Sequence, residues 1–352
     1  MKSASLNRLA WQKLKKNRLS FFALCYILLV VLIALFAVVI SPDSSPNANE
    51  MHIELAAQKP LTKILFLEIP KNKDIKLSFM ESFFLGNPLV VRRVPIDSFK
   101  LLERGVIYFP YKFNMEQKYI GEYKIAEQTF WLGTDRYGRD LLSRMLYGIR
   151  ISLSVGFIAV FISLIIGIIL GLFAGYFRGR IDDIIMWFVN VIWSIPTLLM
   201  VIAITLALGK GFWQVFVAVG LTMWVEVARI VRGQVLVIRE LEFVEAGIAL
   251  AYKPYRIIFK HILPNIIGPL IVISAANFAA AILIEAGLSF LGIGAQPPIP
   301  SLGGIIKDHY SYIIMDKAYL AIIPGLLIMS LVLAFMFLGN GLRDAFDVRD
   351  NI

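Results

Sequence analysis

Long apolar runs separated by short polar passages set the pattern of this chain. The first run, Phe21 to Ile40, is roughly 20 residues, enough to cross the hydrocarbon of a bilayer as a helix. Lys13, Lys15, Lys16 and Arg18 precede it, and Ser41-Pro42-Asp43 follows with no small-residue cleavage pattern, so it reads as an uncleaved span rather than a secretory signal. Further runs cover about Ile151–Tyr176, Ile184–Leu208, Phe212–Val227, Ile266–Leu291 and Tyr319–Leu338. The pattern predicts an all-α polytopic membrane protein with six transmembrane helices. Cations before the first run and few just after it put the amino terminus in the cytoplasm, and six crossings bring the tail with Arg343 and Arg349 back to that side.

The stretch between the first two runs breaks the pattern. It is polar, with β-prone segments at Ile64–Ile69, Leu89–Val94 and Val106–Phe113, punctuated by Pro70, Pro95 and Pro110. Phe83, Phe84, Tyr108, Phe109 and Tyr111 give it something to bury, which predicts a small extracytoplasmic insert, mostly β or irregular, rather than a floppy linker. The expected organisation is therefore a cytoplasmic amino terminus and first helix (1–42), the insert (43–130), an interfacial segment (131–150), a five-helix core (151–342) and a cytoplasmic tail (343–352). In the interfacial segment Asp140 is placed to cap a helix from Leu141, with Leu142, Met145, Leu146 and Ile149 on its apolar face and Arg144 on its polar one, lying at the outer surface before the second span.

Within the runs, three features stand out. Gly167, Gly171 and Gly175 recur every four residues and share a face that another helix can approach closely. Pro196, near the middle of the third run, removes a backbone donor and predicts a kink, either architectural or facing a translocation path. Asn277 and Glu285 lie in the fifth run, where an ionisable group must face protein or water, or reach the interface by snorkelling; they are candidates for the pathway or a subunit interface.

Composition supports the membrane reading and narrows the chemistry. Hydrophobic residues make up 58% of the chain and charged ones 17%, and the mean hydropathy of +0.74 lies outside the soluble range. A formal charge of +10 suits anionic membrane lipid; nucleic-acid binding is not supported. Cys25 is the single cysteine and lies in an apolar run, so no intramolecular disulfide forms. No GxxxxGK[ST] loop is present, Gly209-Lys210-Gly211 lacking both spacing and hydroxyl, so ATP hydrolysis by the usual means is excluded. His52, His261 and His309 form no metal-ligand motif and no GxSxG elbow occurs, leaving transport or a scaffold role, with no metal or cofactor expected on this chain.

The longest polar interruption of the second half is Glu245–Asn265, in a cytoplasmic loop spanning about 240–265. Pro254 disfavours helix at Lys253, predicting two short helices that meet near Ala251 to Lys253, and Pro264 is expected to start a new element. Glu245, Ala246 and Gly247, then Ala251, then Ile257 through His261, Pro264 and Asn265 resemble the cytoplasmic loop of the membrane subunits of bacterial ABC importers. Gly247 stands where that family usually has a second alanine, and Ala251 where it usually has glycine. Gly133-Thr134-Asp135 followed by Gly138-Arg139-Asp140 resembles the GTDxxGRD motif of the peptide and nickel branch, as do Leu288–Gly292 and Pro300–Gly303. The resemblance covers the amino-terminal segment and Trp131 to the end; about Ser44–Thr129 is not covered.

The resemblance implies the C-type permease subunit of a dipeptide, oligopeptide or nickel importer in the cell inner membrane. It further implies a homologous second permease, two ABC ATPase subunits that use ATP and Mg, and an extracytoplasmic solute-binding protein. Glu245 and Arg256 would then lie at the ATPase docking surface. The competing reading is a stand-alone secondary transporter or channel; such proteins often carry internal repeats and clustered intramembrane charge, and neither is evident in this chain. A membrane-anchored enzyme using the outer domain is a third reading.

Overall fold

The computed structural model describes residues 6–71, 78, 81–82, 86–102, 104–113, 115–209 and 211–346. Phe83, Phe84, Lys210 and the tail from residue 347, Arg349 included, lie outside the described residues. The helices are α1 (Leu6–Lys16), α2 (Arg18–Leu35), α3 (Ala37–Ile40), α4 (Leu141–Phe177), α5 (Gly179–Trp193), α6 (Thr197–Leu208), α7 (Phe212–Arg239) and α8 (Glu242–Ala249). They continue as α9 (Pro254–Ile257), α10 (Ile267–Phe290), α11 (Leu302–His309) and α12 (Tyr319–Phe346). Among the described residues five helical stretches are long and apolar enough to cross a membrane, or up to six if the bent pair α5 and α6 is one span.

The chain divides into two compact units. One holds the residues up to Val30, Ser152–Gly294 and those from Leu327; the other holds Val31–Ile151 and Ala295–Leu326.

In the first unit the glycine repeat of α4 meets α7. A Cβ at Gly167 would lie 2.5 Å from Val227 Cβ, one at Gly171 2.6 Å from the Ala228 carbonyl oxygen, and one at Gly175 2.7 Å from Val235 Cβ. The missing side chains let two backbones approach closely while valines on α7 fill the seam. Helix α2 packs on α12 through Tyr26 and Ser330, whose oxygens are 2.6 Å apart, and through the Ser20 hydroxyl, which donates to the Phe337 carbonyl at 3.0 Å. Between α5 and α6 the chain bends by 90°. Pro196 sits at that break, where its missing donor costs nothing because it precedes the first turn of α6.

The second unit contains an antiparallel sheet of five strands, β1 (Thr62–Pro70), β2 (Val91–Leu102), β3 (Gly105–Pro110), β4 (Gln117–Tyr119) and β5 (Lys124–Phe130), in the order β4-β3-β2-β1-β5. Alternation puts Ile64 and Phe66 on one face with Leu55 and Phe130, and Leu67 on the other with Ile96, Val106 and Tyr108.

Several expectations need correction. No break separates an interfacial helix at Leu141 from the second span: α4 is continuous from Leu141 to Phe177, because nothing from Leu141 to Ile151 interrupts a helix. Pro95 falls inside β2, opposite Phe66, rather than between strands, and its carbonyl still accepts from the Tyr111 amide at 2.9 Å. Pro264 stands in the first turn of a new 3-10 element, as expected, but the chain does not break there. A π-turn over Ile258–Ile262 and a 3-10 turn over Leu263–Ile266 carry the helix past it, and the apolar stretch Pro254–Phe290 runs as one.

Candidate functional site

The 240–265 passage is built as a short helix, a tight turn and a second helical segment. In α8 only Val244 and Gly247 are buried, a narrow stripe one turn long, so Glu245 and Ala246 face outward. At its end the Ala251 amide donates to the Ile248 carbonyl at 2.9 Å and the Tyr252 amide to the Gly247 carbonyl at 3.0 Å. This paired pattern closes a helix when the residue after the cap is left-handed, and Ala251 has φ of 55°. An L-residue with a Cβ is strained there by about 1–2 kcal/mol. A Cβ added to Gly247 would meet Tyr252 at 3.5 Å and Ile257 at 3.8 Å, ordinary contact, so an alanine would fit. Lys253 is extended and Pro254 opens α9 at its first turn, as a residue without an amide donor suits.

The inner face of this passage is anchored. Val244, Ile257, Ile258, Ile262 and Ile266 join one buried cluster with Leu172 and Tyr176 of α4 and Val227, Val231, Val235 and Ile238 of α7. An Arg239 guanidinium N–H donates to the Tyr176 carbonyl at 2.6 Å, tying the end of α7 to that of α4. The outer face carries Glu245, Ala246, Ala251, Arg256, Pro264 and Asn265, all exposed. Tyr252 organises the turn: Arg256 lies 4.1 Å over its ring and His261 stacks beside it, centroids 6.1 Å apart. The Asn265 amide donates to the His261 carbonyl at 2.6 Å. Exposed Phe243, Ile248, Leu250, Tyr255 and Phe259 interleave with these polar groups, an apolar surface larger than scattered single residues would give.

The Gly133–Asp140 motif forms a buried loop in the second unit. Gly133 and Gly138 have φ of 78° and 72°, and a Cβ on them would strike the Gln58 carbonyl oxygen at 2.3 Å and the His52 carbonyl oxygen at 1.7 Å, so only glycine fits either place. The Thr134 hydroxyl donates to the Leu55 carbonyl and accepts from the Gln58 amide at 2.8 Å. One Asp135 carboxylate oxygen accepts from the Tyr137 and Arg139 amides at 2.8 and 2.9 Å; the other takes the Arg139 guanidinium at 2.6 Å and lies 3.6 Å from that of Arg144. Arg136 pairs with Asp308 at 3.2 Å. Arg136, Arg139 and Arg144 are thus each matched by an acid within their own unit.

Asp140 caps α4 by accepting from the Ser143 amide at 2.8 Å, while its other oxygen is buried without a hydrogen-bond partner. Burial pushes its pKa up to about 6 despite the Ser143 hydrogen bonds, with Asp43 and Asp135 adding repulsion. Glu50 moves the other way: burial alone would raise it, but the His52 hydrogen bond and the Arg93 charge together hold it below the usual carboxylate range. His309 accepts from the Arg136 amide at 3.0 Å on Nε2, so its proton sits on Nδ1, 2.7 Å from the Ile305 carbonyl. Burial lowers its pKa, consistent with a neutral ring whose two nitrogens are both occupied.

Of the residues expected in a pathway, Pro196 marks the 90° break, while Asn277 and Glu285 are only 2% and 1% exposed. Glu285 accepts from the Ser152 hydroxyl at 3.0 Å and the Ser289 hydroxyl at 2.7 Å, so it faces protein and does not snorkel. Glu226, within α7, is exposed, and sequence reasoning missed it. Its signal was present: the fourth run, Phe212–Val227, already contains Glu226, and its helix is expected to continue through Arg229, Arg232 and Arg239, as α7 does.

Together these features define a multi-pass membrane protein with one structured, solvent-open knob anchored to two long helices, and with no metal-ligating cluster among the described residues. The chain belongs to the family described as binding-protein-dependent transport system inner membrane components, whose model matches residues 167–349. A second model, the N-terminal TM domain of oligopeptide transport permease C, matches residues 5–60. A glutathione transport system permease protein of Pectobacterium atrosepticum is 41% identical over 217 residues, 62% of this chain and 72% of the relative. A dipeptide transport system permease protein of Lactococcus lactis is 31% identical over 340 residues, 97% of this chain and 90% of the relative, and so extends through the insert. Among solved structures, the inward-facing MetNI methionine ABC transporter matches 58% of this chain and 96% of its own at 20% identity and a TM-score of 0.48. Subunits of this family are permeases and are not themselves catalytic.

Proposed function

We propose that this chain is the C-type permease subunit of an ATP-driven importer of peptides in the inner membrane, and that the 240–265 passage is where separate ATPase subunits dock. The observation that carries the docking reading is the two-sided build of the knob. Its inner face is locked into the core of α4 and α7, and its outer face leaves Glu245, Arg256 and five large apolar side chains uncovered. A push on such an element reaches the spans directly because the packing between them is dense and does not yield.

Peptides are the substrate class favoured by the names of the relatives, dipeptide and glutathione permeases among them. ATP and Mg act on the partner ATPases. A homologous permease completes the pathway, and a solute-binding protein delivers cargo on the outer side, where the 43–130 insert lies. Both termini are cytoplasmic and the protein makes six crossings, with α5 and α6 together forming one.

The test is co-purification in mild detergent, followed by uptake in vesicles. Glu245→Lys is expected to weaken ATPase association and peptide uptake while the chain still reaches the membrane. Unchanged uptake, or transport by this chain without any ATPase, overturns the reading. An epitope at Gly121, in the exposed link before β5, is expected to be reachable from outside the cell; labelling only after permeabilisation reverses the topology.

A further inference from the structure

Glu226 lies at the midpoint of the apolar stretch Trp213–Arg239, about 20 Å of helix from either end. It is exposed, and among the described residues it has no hydrogen-bond or ion-pair partner. A carboxylate at that depth against lipid is costly by several kcal/mol on any scale, so it must face water or a cation.

The cations of α7 itself are committed elsewhere. Arg229 donates to Asn190 at 2.8 Å and lies 3.8 Å over the Trp193 ring, Arg232 grips both oxygens of Asp182 at 2.6 Å, and Arg239 holds the Tyr176 carbonyl. All of them point toward α4 or α5. Glu226, Ile230 and Gln234 recur every four residues on another face and line an open cleft of about 700 Å³, with α10 contributing Val272 and Ala276, and α12 contributing Arg343. The cleft is concave and has one acid at mid-helix depth, one amide two turns along and one base near the end of α12. A wall built to receive another apolar helix would not carry such a series.

We infer that this cleft is this chain's share of the translocation path, and that Glu226 is a specificity-determining contact for the protonated amino terminus of a peptide in transit. The inference rests on the importer reading above and deepens it. An α-amino group is mostly protonated near neutral pH and needs an anion where hydrocarbon surrounds the path. Arg343 offers the complementary charge to the peptide's carboxylate nearer the end of the helix.

The experiment uses the complete transporter in proteoliposomes, with Cys25→Ala as background and Glu226→Cys, Gln234→Cys or Phe161→Cys added singly. Water-borne cationic and anionic methanethiosulfonates are expected to modify the thiols at 226 and 234 but not the one at 161, on an exposed apolar face of α4. Alanyl-alanyl-alanine is expected to slow modification at 226, and trapping the ATPases with vanadate to change its rate. In kinetics, Glu226→Gln should raise the KM for trialanine uptake about tenfold or more, the loss of one charge-assisted contact. Glu226→Asp should recover most of the loss.

Thiols at 226 and 234 that stay unreactive in every nucleotide state overturn the path assignment. Modification at 226 together with unchanged uptake by Glu226→Gln overturns the contact with the ammonium group. Failure of the importer reading looks different: the unaltered complex then shows no ATP-dependent peptide uptake at all.

Discussion

Replacing Gly171 by alanine should destabilise the protein, although the same change in an open helix stabilises it. Alanine gains about 1 kcal/mol over glycine in helix propensity. Against this, a Cβ at 171 would sit 2.6 Å from both the Ala228 carbonyl oxygen and Val231 Cβ, well inside the 3.4 Å at which ordinary contact begins. Neither obstacle can rotate away, since one is backbone and the other is the branch point of a buried valine. Helix α7 would have to move as a body, at an overpacking cost of about 1–3 kcal/mol, and the net loss comes to about 1 kcal/mol. The control is Gly233→Ala on α7, where an added Cβ meets nothing within 4 Å, so that only the propensity gain of about 0.5–1 kcal/mol remains. The two variants should shift the thermal midpoint in opposite directions in detergent, followed by fluorescence-detected size exclusion. Gly171→Ala equal to or more stable than Gly233→Ala would refute the close backbone approach of α4 and α7.

Three further outcomes are expected. Gly138→Ala puts a Cβ 1.7 Å from the His52 carbonyl oxygen at φ 72°, so the buried loop should fail to close, costing more than about 3 kcal/mol; protease protection of residues 131–150 equal to wild type would count against this. Ala251→Gly relieves the strain at φ 55° and should slow hydrogen exchange of the Tyr252 amide about two- to fivefold, whereas faster exchange would show that the alanine is unstrained. Folded Asp140 holds its proton up to about pH 6, against an ordinary aspartate value of 3.8. Its contribution to stability is therefore greatest below about pH 4, and about 3 kcal/mol is lost as pH rises to 6. Asp140→Asn keeps an acceptor for Ser143 and should flatten that stretch of the profile of thermal midpoint against pH; an unchanged slope would remove Asp140 as its source.

How much of this was legible in the sequence depended on whether a signal was local. The Gly167–Gly171–Gly175 repeat and the Pro254 break act through near neighbours, and each appears where the pattern put it, and the apolar runs are helical, although their ends and the 90° break in the third run differ from the pattern. Proline was the less reliable marker. Pro95 is tolerated inside β2 and Pro264 inside a π-to-3-10 transition, because tertiary packing supplied what the local rule withheld. β4 and β5 went unnoticed because Gln117–Tyr119 and Lys124–Phe130 carry charged and small residues whose pairing with distant strands is invisible locally. Glu226 was passed over for a related reason. Depth along a helix can be counted from sequence, but which face meets solvent is decided by α10 and α12 packing beside α7.

The knob and the glycine seam belong to one mechanical unit, and this bears on how a signal at the knob would travel. Val244, Ile257, Ile258 and Ile262 share a buried cluster with Val227, Val231 and Val235, and these same valines fill the seam beside Gly167, Gly171 and Gly175. Such close contact leaves little slack, so α4 and α7 should move with the knob as one body. The same cluster takes in Leu270 and Ile273, so the first turns of α10 are held to that body too, across the π-turn at Ile258–Ile262 and the 3-10 turn at Leu263–Ile266. On the docking reading, a push on the knob would then carry α4, α7 and the start of α10 together, and with them the part of the cleft that Val272 and Ile273 line beside Glu226. Loosening this packing with Ile262→Ala should accordingly slow transport more than it slows ATP hydrolysis, because the motor would still bind its knob while the spans follow it less closely.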